Sequence, residues 1–279
     1  MSDSTVPMSR KIHFISGLPR SGSTLLSALL RQNPLFASGI SSPVAQMLAT
    51  MQQVLSGRSE FHSEVSDVKR QAVLRGVVCN YFADVPLDKV VFDTNRTWCS
   101  KIDTLMDLFP DAKLLCCVRP LCWIFDSFER VVRRNSLEPS RLFNYEATGT
   151  VYSRVETLNH PVSGPVGSSY NGLKEAFYGD HASRLLLVNY ESLAKDPQKV
   201  MRAIYGFLGE QPYEHNRDSV KFEAPEFDRR LGVRGLHQVC GRVQFVERQT
   251  ILPPDIFARF ENASFWGIPQ HNSRGVRIV

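Results

Sequence analysis

The sequence predicts a three-layer α/β domain, a central and mostly parallel sheet flanked by helices, on two observations. Short apolar runs of strand length alternate along the chain with segments whose apolar residues recur at helical spacing. A Gly-rich turn also joins the first apolar run to the first helical segment, as where a strand feeds a crossover helix. At 279 residues the chain is long enough for one such domain with a well-buried core, and residues 1–279 read as a single domain.

The elements follow in order. Residues 11–16 form the first strand. The helix after the turn starts near Ser23, carries Leu25, Leu26, Leu29 and Leu30, and ends before Pro34. A second helix starts near Pro43. A third follows Ser66 as N-cap, with Leu74, Val77, Val78, Tyr81 and Phe82 on one face. Residues 89–92 are a short strand. The next helix carries Trp98, Ile102, Leu105, Met106 and Phe109, an apolar stripe at helical spacing. Residues 113–118 are a buried strand, followed by a helix carrying Ile124, Phe125, Phe128, Val131 and Val132. Residues 135–180, less periodic, read as part helix and part loop, a candidate lid over an acceptor. Residues 184–188 are a further strand. Asp196 then caps a helix with Pro197 at its first position, Val200, Ile204, Phe207 and Leu208 on its buried face, and Gly209 past its end. The tail, 211–279, is rich in Arg, Gly and Pro and gives no clear assignment.

Composition narrows the function classes. Hydrophobic residues are 43% and charged residues 22% of the chain, which excludes a disordered protein. The net charge of +5 suits an anionic ligand. No zinc-finger, basic-zipper or RNA-recognition signature accompanies it, so no nucleic-acid partner is expected. Residues 1–10 are polar and lack the apolar core of a signal peptide, and no apolar run approaches the ~20 residues of a membrane span. The cysteines, 79, 99, 116, 117, 122 and 240, show neither CxxC nor metal-ligand spacing. Free thiols, no metal site and a cytoplasmic setting are the expectation.

The strongest local signal is Gly17-Leu18-Pro19-Arg20-Ser21-Gly22-Ser23-Thr24 between strand and helix. Glycines there let the backbone curl, so that N–H groups and the helix N-terminus face an anion. The spacing is that of a P-loop, which predicts a P-loop nucleotide-hydrolase-like sheet, but Ser23 stands where the P-loop lysine belongs. Arg20 is the only cation in the turn, and a guanidinium holds phosphate oxygens in a fork. Residues 20–24 thus read as the site of a terminal 5′-phosphate group. A second half-site is Arg119, at the end of strand 113–118, with Ser127 about two helical turns further on. Alone, that pair is equally a solvated arginine and an unrelated serine.

Together these segments resemble the 3′-phosphoadenosine 5′-phosphosulfate (PAPS)-dependent sulfotransferase family. Residues 14–26, with their PRSGST core, look like its 5′-phosphosulfate loop in the form of the protein-tyrosine and many bacterial enzymes. Arg119 and Ser127 have the spacing of its 3′-phosphate site. Leu185 to Leu193 with Asp196-Pro197 and Phe207-Leu208-Gly209 resembles its "YE-x-L", "DP" and "FLG" run, and that match implies a cofactor contact for Tyr190, which is otherwise a half-buried core tyrosine. The resemblance covers residues 11–210. It implies PAPS as cofactor and transfer of sulfonate to a hydroxyl or amine of a small-molecule or peptide acceptor. Relatives place a late basic-Gly segment on the 3′-phosphate, a role for Arg234 or Arg242.

Two departures concern the base. Relatives use a His after the strand that is here 89–92, or a Glu after the first helix. This chain has Asp93-Thr94-Asn95-Arg96 at the first place and no carboxylate in 36–42. Asp93, at a strand's C-terminal end, is the candidate base, with Arg96 to steady the sulfonate. The alternative is a structural Asp93–Arg96 pair or a helix cap. His62 and Glu64 are a fallback. Arg130, Arg133, Arg134, Arg229 and Arg230 read as solvated faces or a lure for an acidic acceptor. The rival functions are a P-loop kinase-like enzyme and a non-catalytic nucleotide-binding protein.

Overall fold

Six parallel strands carry the molecule. The computed structural model describes residues 10–57, 60–137, 140, 143 and 149–279. Along the chain run β1 (Ile12–Gly17), α1 (Ser23–Leu30), β2 (Phe36–Ser41), α2 (Val44–Val54), α3 (Asp67–Tyr81), β3 (Val90–Thr94), α4 (Ile102–Leu108), β4 (Leu114–Val118) and α5 (Leu121–Arg134). Then follow α6 (Val151–Asn159), α7 (Gly167–Tyr178), β5 (Leu185–Asn189), α8 (Tyr190–Lys195), α9 (Pro197–Leu208), β6 (Val220–Phe222), α10 (Pro225–Leu231), β7 (Val239–Gly241), α11 (Pro254–Glu261) and β8 (Arg277–Ile278). The strand order is β2-β3-β1-β4-β5-β8, every neighbour parallel, while β6 and β7 pair antiparallel apart from it.

Helices cover both faces, because the central strands are apolar on both. In β4, Leu114, Cys116 and Val118 enter a core shared with α2, α4, α5 and α7. Leu115 and Cys117 point the other way, into a core with α1 and α9. The period-two alternation of a strand thus feeds two cores from one run. The three-layer expectation holds, and the six cysteines are free.

The local signals work as read at several ends. Ser66 Oγ accepts from Lys69 N, Asp196 Oδ1 accepts from Lys199 N, and Gly209 closes α9 at φ 75°. One element is shorter than the stripe suggests. Trp98 precedes a 3₁₀ turn, Cys99–Lys101, and the α-helix begins only at Ile102. Within 135–180 the structure shows α6 and α7; residues 138–139, 141–142 and 144–148 of that candidate lid lie outside the described residues.

The unassigned tail is built onto the same sheet and helices. β8 extends the sheet beside β5, and residues 248–252 are fastened to α5 through Asp126. The Asp126 side chain is fully buried. Its Oδ1 accepts from Ile251 N at 2.9 Å and Thr250 Oγ1 at 3.2 Å. Its Oδ2 accepts from Arg130 Nε at 2.8 Å and lies 2.7 Å from Arg248 Nη2. Burial alone would raise this carboxyl, but the Arg130 and Ile251 hydrogen bonds and the Arg248 and Arg130 charges outweigh it and hold it below its ordinary value.

Asp126→Ala is therefore expected to lower unfolding free energy by about 2–4 kcal/mol in a urea titration, since it strands two guanidinium partners and two tail donors. The wild-type contribution of this carboxylate is present above its unfolded pKa and is lost as pH falls through its lower folded value. The alanine variant loses that part of the acid dependence.

Candidate functional site

The sheet's C-terminal edge opens into a cavity of about 830 Å³, the place where open α/β sheets hold ligands. Its floor is the turn between β1 and α1. Gly17 starts the turn at φ 97°, and a Cβ there would lie 2.2 Å from the Cys117 carbonyl oxygen, so β4 leaves no room for any side chain. Gly22 ends it at φ 94°, and its Cβ would meet Tyr190 Cδ2 at 2.8 Å. Between them Arg20 adopts φ 58°, left-handed and unusual for a residue with a side chain, and a strain of the kind functional turns store.

That conformation sends the Arg20 guanidinium across the cavity. Its Nε donates to Ser127 Oγ on α5 at 3.1 Å, and its Nη1 donates to the Leu236 carbonyl at 2.9 Å. The two half-sites read from sequence are thus in direct contact. Burial, then the neighbouring Arg119 charge, lowers the Arg20 guanidinium to about 10. Arg119 lies over the Tyr190 ring, 4.4 Å from its centroid, a cation–π contact that fixes both. Burial also lowers Arg119 and Arg96.

The remaining walls come from many elements. Ser16 Oγ donates to the Arg96 carbonyl and accepts from Cys99 N, both at 3.2 Å, which holds the stretch after β3 against the turn and brings Arg96 to the cavity. Arg154 bonds both oxygens of buried Glu129 at 2.8 Å, clamping α6 to α5 so that Thr157 joins the wall with Ser163 and Pro165. Residues 236–244 close the side opposite the sheet. Five arginines, 20, 96, 119, 242 and 248, line the cavity, and no Asp or Glu is among the described lining residues. Such a wall suits a ligand with several negative charges.

Of the residues singled out from the sequence, Arg20, Gly22, Ser23, Thr24, Arg96, Arg119, Ser127 and Tyr190 all line this one cavity. Ser21, Asp93 and Arg234 do not. Ser21 is buried, its hydroxyl turned back toward the Pro19 carbonyl at 3.4 Å. Arg234 is exposed beside the cavity, and Arg242 stands in the wall instead. Asp93 pairs in register with Phe14, on the core side of the sheet; its Oδ2 accepts from Trp98 Nε1 at 2.8 Å. Thr94, one residue on, takes the cavity side with Ile15. His62 and Glu64 sit in an exposed turn outside the lining. Arg130 and Arg133 pair with Asp126 and Glu129, and Arg229 and Arg230 with Glu226. Among the described residues no cluster has metal-binding geometry. The sequence reading missed Ser41, Thr157, Ser163, His237, Gln238 and Arg248. Only their assembly in space distinguishes them, as none belongs to a motif.

A curled turn with left-handed residues at the edge of a parallel sheet, faced by arginines from four other segments, is chemically suited to hold an anion. A family model described as the Sulfotransferase family matches residues 13–215, and the chain belongs to that family. It is 28% identical over 207 residues to protein-tyrosine sulfotransferase 1 of Danio rerio, covering 70% of this chain and 52% of that protein, so the chain spans about half the length of that relative. Among solved structures it resembles the sulfotransferase domain of the Synechococcus PCC 7002 olefin synthase, with 23% identity, 74% and 75% of the two chains covered and a TM-score of 0.47. It also resembles the sulfotransferase domain from the curacin biosynthetic pathway, with 18% identity, 95% of each chain covered and a TM-score of 0.49. Among the described residues no helix is long and apolar enough to cross a membrane.

Two outcomes are expected. Burial, against hydrogen bonds from Ser42 and Trp98, pushes the Asp93 carboxyl up to about 6. A carboxyl raised in the fold makes stability fall as pH rises from its unfolded value through its folded one. Asp93→Asn, which keeps an acceptor for Trp98, should flatten a loss of about 2–3 kcal/mol between roughly pH 4 and 6 in urea titrations. Gly22→Ala, which sets a side chain at φ 94° against Tyr190, should lower unfolding free energy by about 1–2 kcal/mol in the same titrations.

Proposed function

We propose that the protein transfers a sulfonate group from PAPS to a hydroxyl or amine of a small-molecule or peptide acceptor, releasing 3′-phosphoadenosine 5′-phosphate. The observation that carries this reading is a cavity lined by five arginines and, among its described residues, by no carboxylate, with the 5′ turn and the second half-site joined at Arg20–Ser127. PAPS bears two anionic groups at opposite ends of one nucleoside, and a cavity with paired half-sites fits that shape. A triphosphate–magnesium ligand fits less well, because the turn lacks the P-loop lysine and the described wall offers no acidic ligand for the ion.

When bound, PAPS supplies a sulfonate whose leaving group is a phosphate. The protein's part is to hold that phosphate as charge gathers on it. The N–H groups at the start of α1 point into the turn, and the hydroxyls of Ser23 and Thr24 line the same floor. Arg20, already fixed by Ser127 and Leu236, offers its remaining N–H groups without reorganisation. Arg119 and Ser127 take the 3′-phosphate, with the Tyr190 ring beside them for the adenine. Arg242, in the closing strap, adds charge at that end. Arg96, Thr94 and Ser41, with Thr157 of helix α6 and Ser163 and Pro165 after it, also line the cavity. This reading gives them to the acceptor. The reading includes a reducing, cytoplasmic setting, which the six free cysteines suit.

The test is a thermal-shift titration with 3′-phosphoadenosine 5′-phosphate, ATP–Mg²⁺ and AMP. Selective stabilisation by the bisphosphate is expected. Stabilisation by ATP–Mg²⁺ alone overturns the reading. Arg119→Ala should weaken bisphosphate binding by about 2–3 kcal/mol, roughly 30- to 150-fold. Arg20→Ala should abolish transfer from radiolabelled PAPS.

A further inference from the structure

Transfer to a hydroxyl needs a group that takes the acceptor's proton, and Asp93 stands outside the cavity wall. His237 is the only imidazole among the described lining residues, which include no carboxylate. It is held by one partner at two points. His237 Nδ1 lies 2.6 Å from Asp228 Oδ1, and the His237 backbone N–H donates to Asp228 Oδ2 at 2.9 Å. Asp228 belongs to α10 and is only 2% exposed. A carboxylate oxygen accepts hydrogen bonds, so a neutral imidazole in this contact donates from Nδ1 and presents the Nε2 lone pair. The Phe227 ring stands edge-on to the imidazole at 5.2 Å between centroids, and the adjacent Leu236 carbonyl is tied to Arg20. Arg20, from the turn, is among the charged groups near the dyad; Asp228 acts to raise its pKa against burial and the Arg119 charge, which lower it.

Resting on the sulfotransferase reading, we infer that His237 is the general base for the acceptor and Asp228 its positioning residue. The acceptor O–H proton passes to His237 Nε2 as the acceptor oxygen forms its bond to sulfur. The bond from sulfur to the bridging oxygen breaks, and its electron pair leaves on the 5′-phosphate beside Arg20. The imidazolium then returns its proton to solvent. Asp228 fixes the tautomer and stabilises the imidazolium that forms, a division of work general to His–carboxylate pairs. The strap that carries His237 therefore closes the cavity and supplies the base.

The experiment uses the full chain and radiolabelled PAPS, with water, p-nitrophenol, phenol and p-cresol as acceptors. Bisphosphate binding and imidazole-nitrogen NMR are measured alongside. Expected are an Nδ1–H tautomer in the wild type and bisphosphate binding within about twofold of wild type in His237→Gln. That variant should lose about 100-fold or more in kcat toward p-cresol, with little change in KM. Its loss toward p-nitrophenol should be far smaller, because that acceptor ionises readily by itself. Asp228→Asn should shift the tautomer balance, and in both variants the acid limb of the kcat–pH profile should change. Unchanged kcat and pH profile in His237→Gln, or an Nε2–H tautomer in the wild type, overturns the base assignment alone. A His237→Gln protein that no longer binds the bisphosphate makes His237 a donor contact and also overturns it. A wild type that binds no bisphosphate and releases no label overturns the transferase reading itself. Binding without release to water or any phenol overturns the catalytic reading and the base with it.

Discussion

The cavity depends on one strained residue. Arg20 sits at φ 58° in a turn whose flanking glycines have no space for side chains, and its guanidinium bonds a hydroxyl 107 residues away and a carbonyl 216 residues away. A right-handed Arg20 would aim elsewhere, and the turn, α5 and the strap would lose their common tie. The cost of a left-handed residue, about 1–2 kcal/mol, is offset by the two hydrogen bonds that this conformation lets the guanidinium make, in a turn whose ends are packed against Cys117 and Tyr190. Burial is the main reason that Arg20 and Arg119 are lowered, and neighbouring arginine charges, Arg119 and Arg248 on the first and Arg248 on the second, add to it.

A carboxylate hub on the same helix as Ser127 supports that tie from behind. Asp126 gathers Arg130, Thr250, Ile251 and Arg248 at the first half of α5, one residue before Ser127. Ser127 faces the cavity while its neighbour anchors the tail, so a single helical turn positions the hydroxyl that Arg20 bonds and residues 248–252 together. Glu129, two residues on, does the same for α6 through Arg154. Helix α5 is thus the beam on which residues 248–252 and α6 are both mounted, and Asp126 and Glu129 on it are taken up by arginine partners.

Much of this was legible in the sequence where burial is symmetrical. The run 113–118 reads as a strand because both faces enter cores, and the turn after 11–16 reads as an anion site because strand, glycines and helix occur in order. β2 escaped notice because Phe36 is its only buried side chain; an edge strand of serine, glycine and alanine has no pattern to read. Asp93 was placed at the right end of the right strand, but the parity of a strand decides which of two neighbours faces a ligand. The register Phe14–Asp93 and Ile15–Thr94 gives the cavity to Thr94 and gives Asp93 to Trp98. The tail was opaque because its work is done by isolated side chains, His237, Arg242 and Arg248, whose partners lie in α10, at Asp218 and in α5.

The contact between Gly22 and Tyr190 links two distant positions mechanically. An added Cβ would lie 2.8 Å from the tyrosine ring, so a larger residue 22 fits only where the ring shrinks or swings aside. Either change disturbs the ring beneath Arg119, so the size of one small residue in the turn is felt at a guanidinium on the far side of the tyrosine.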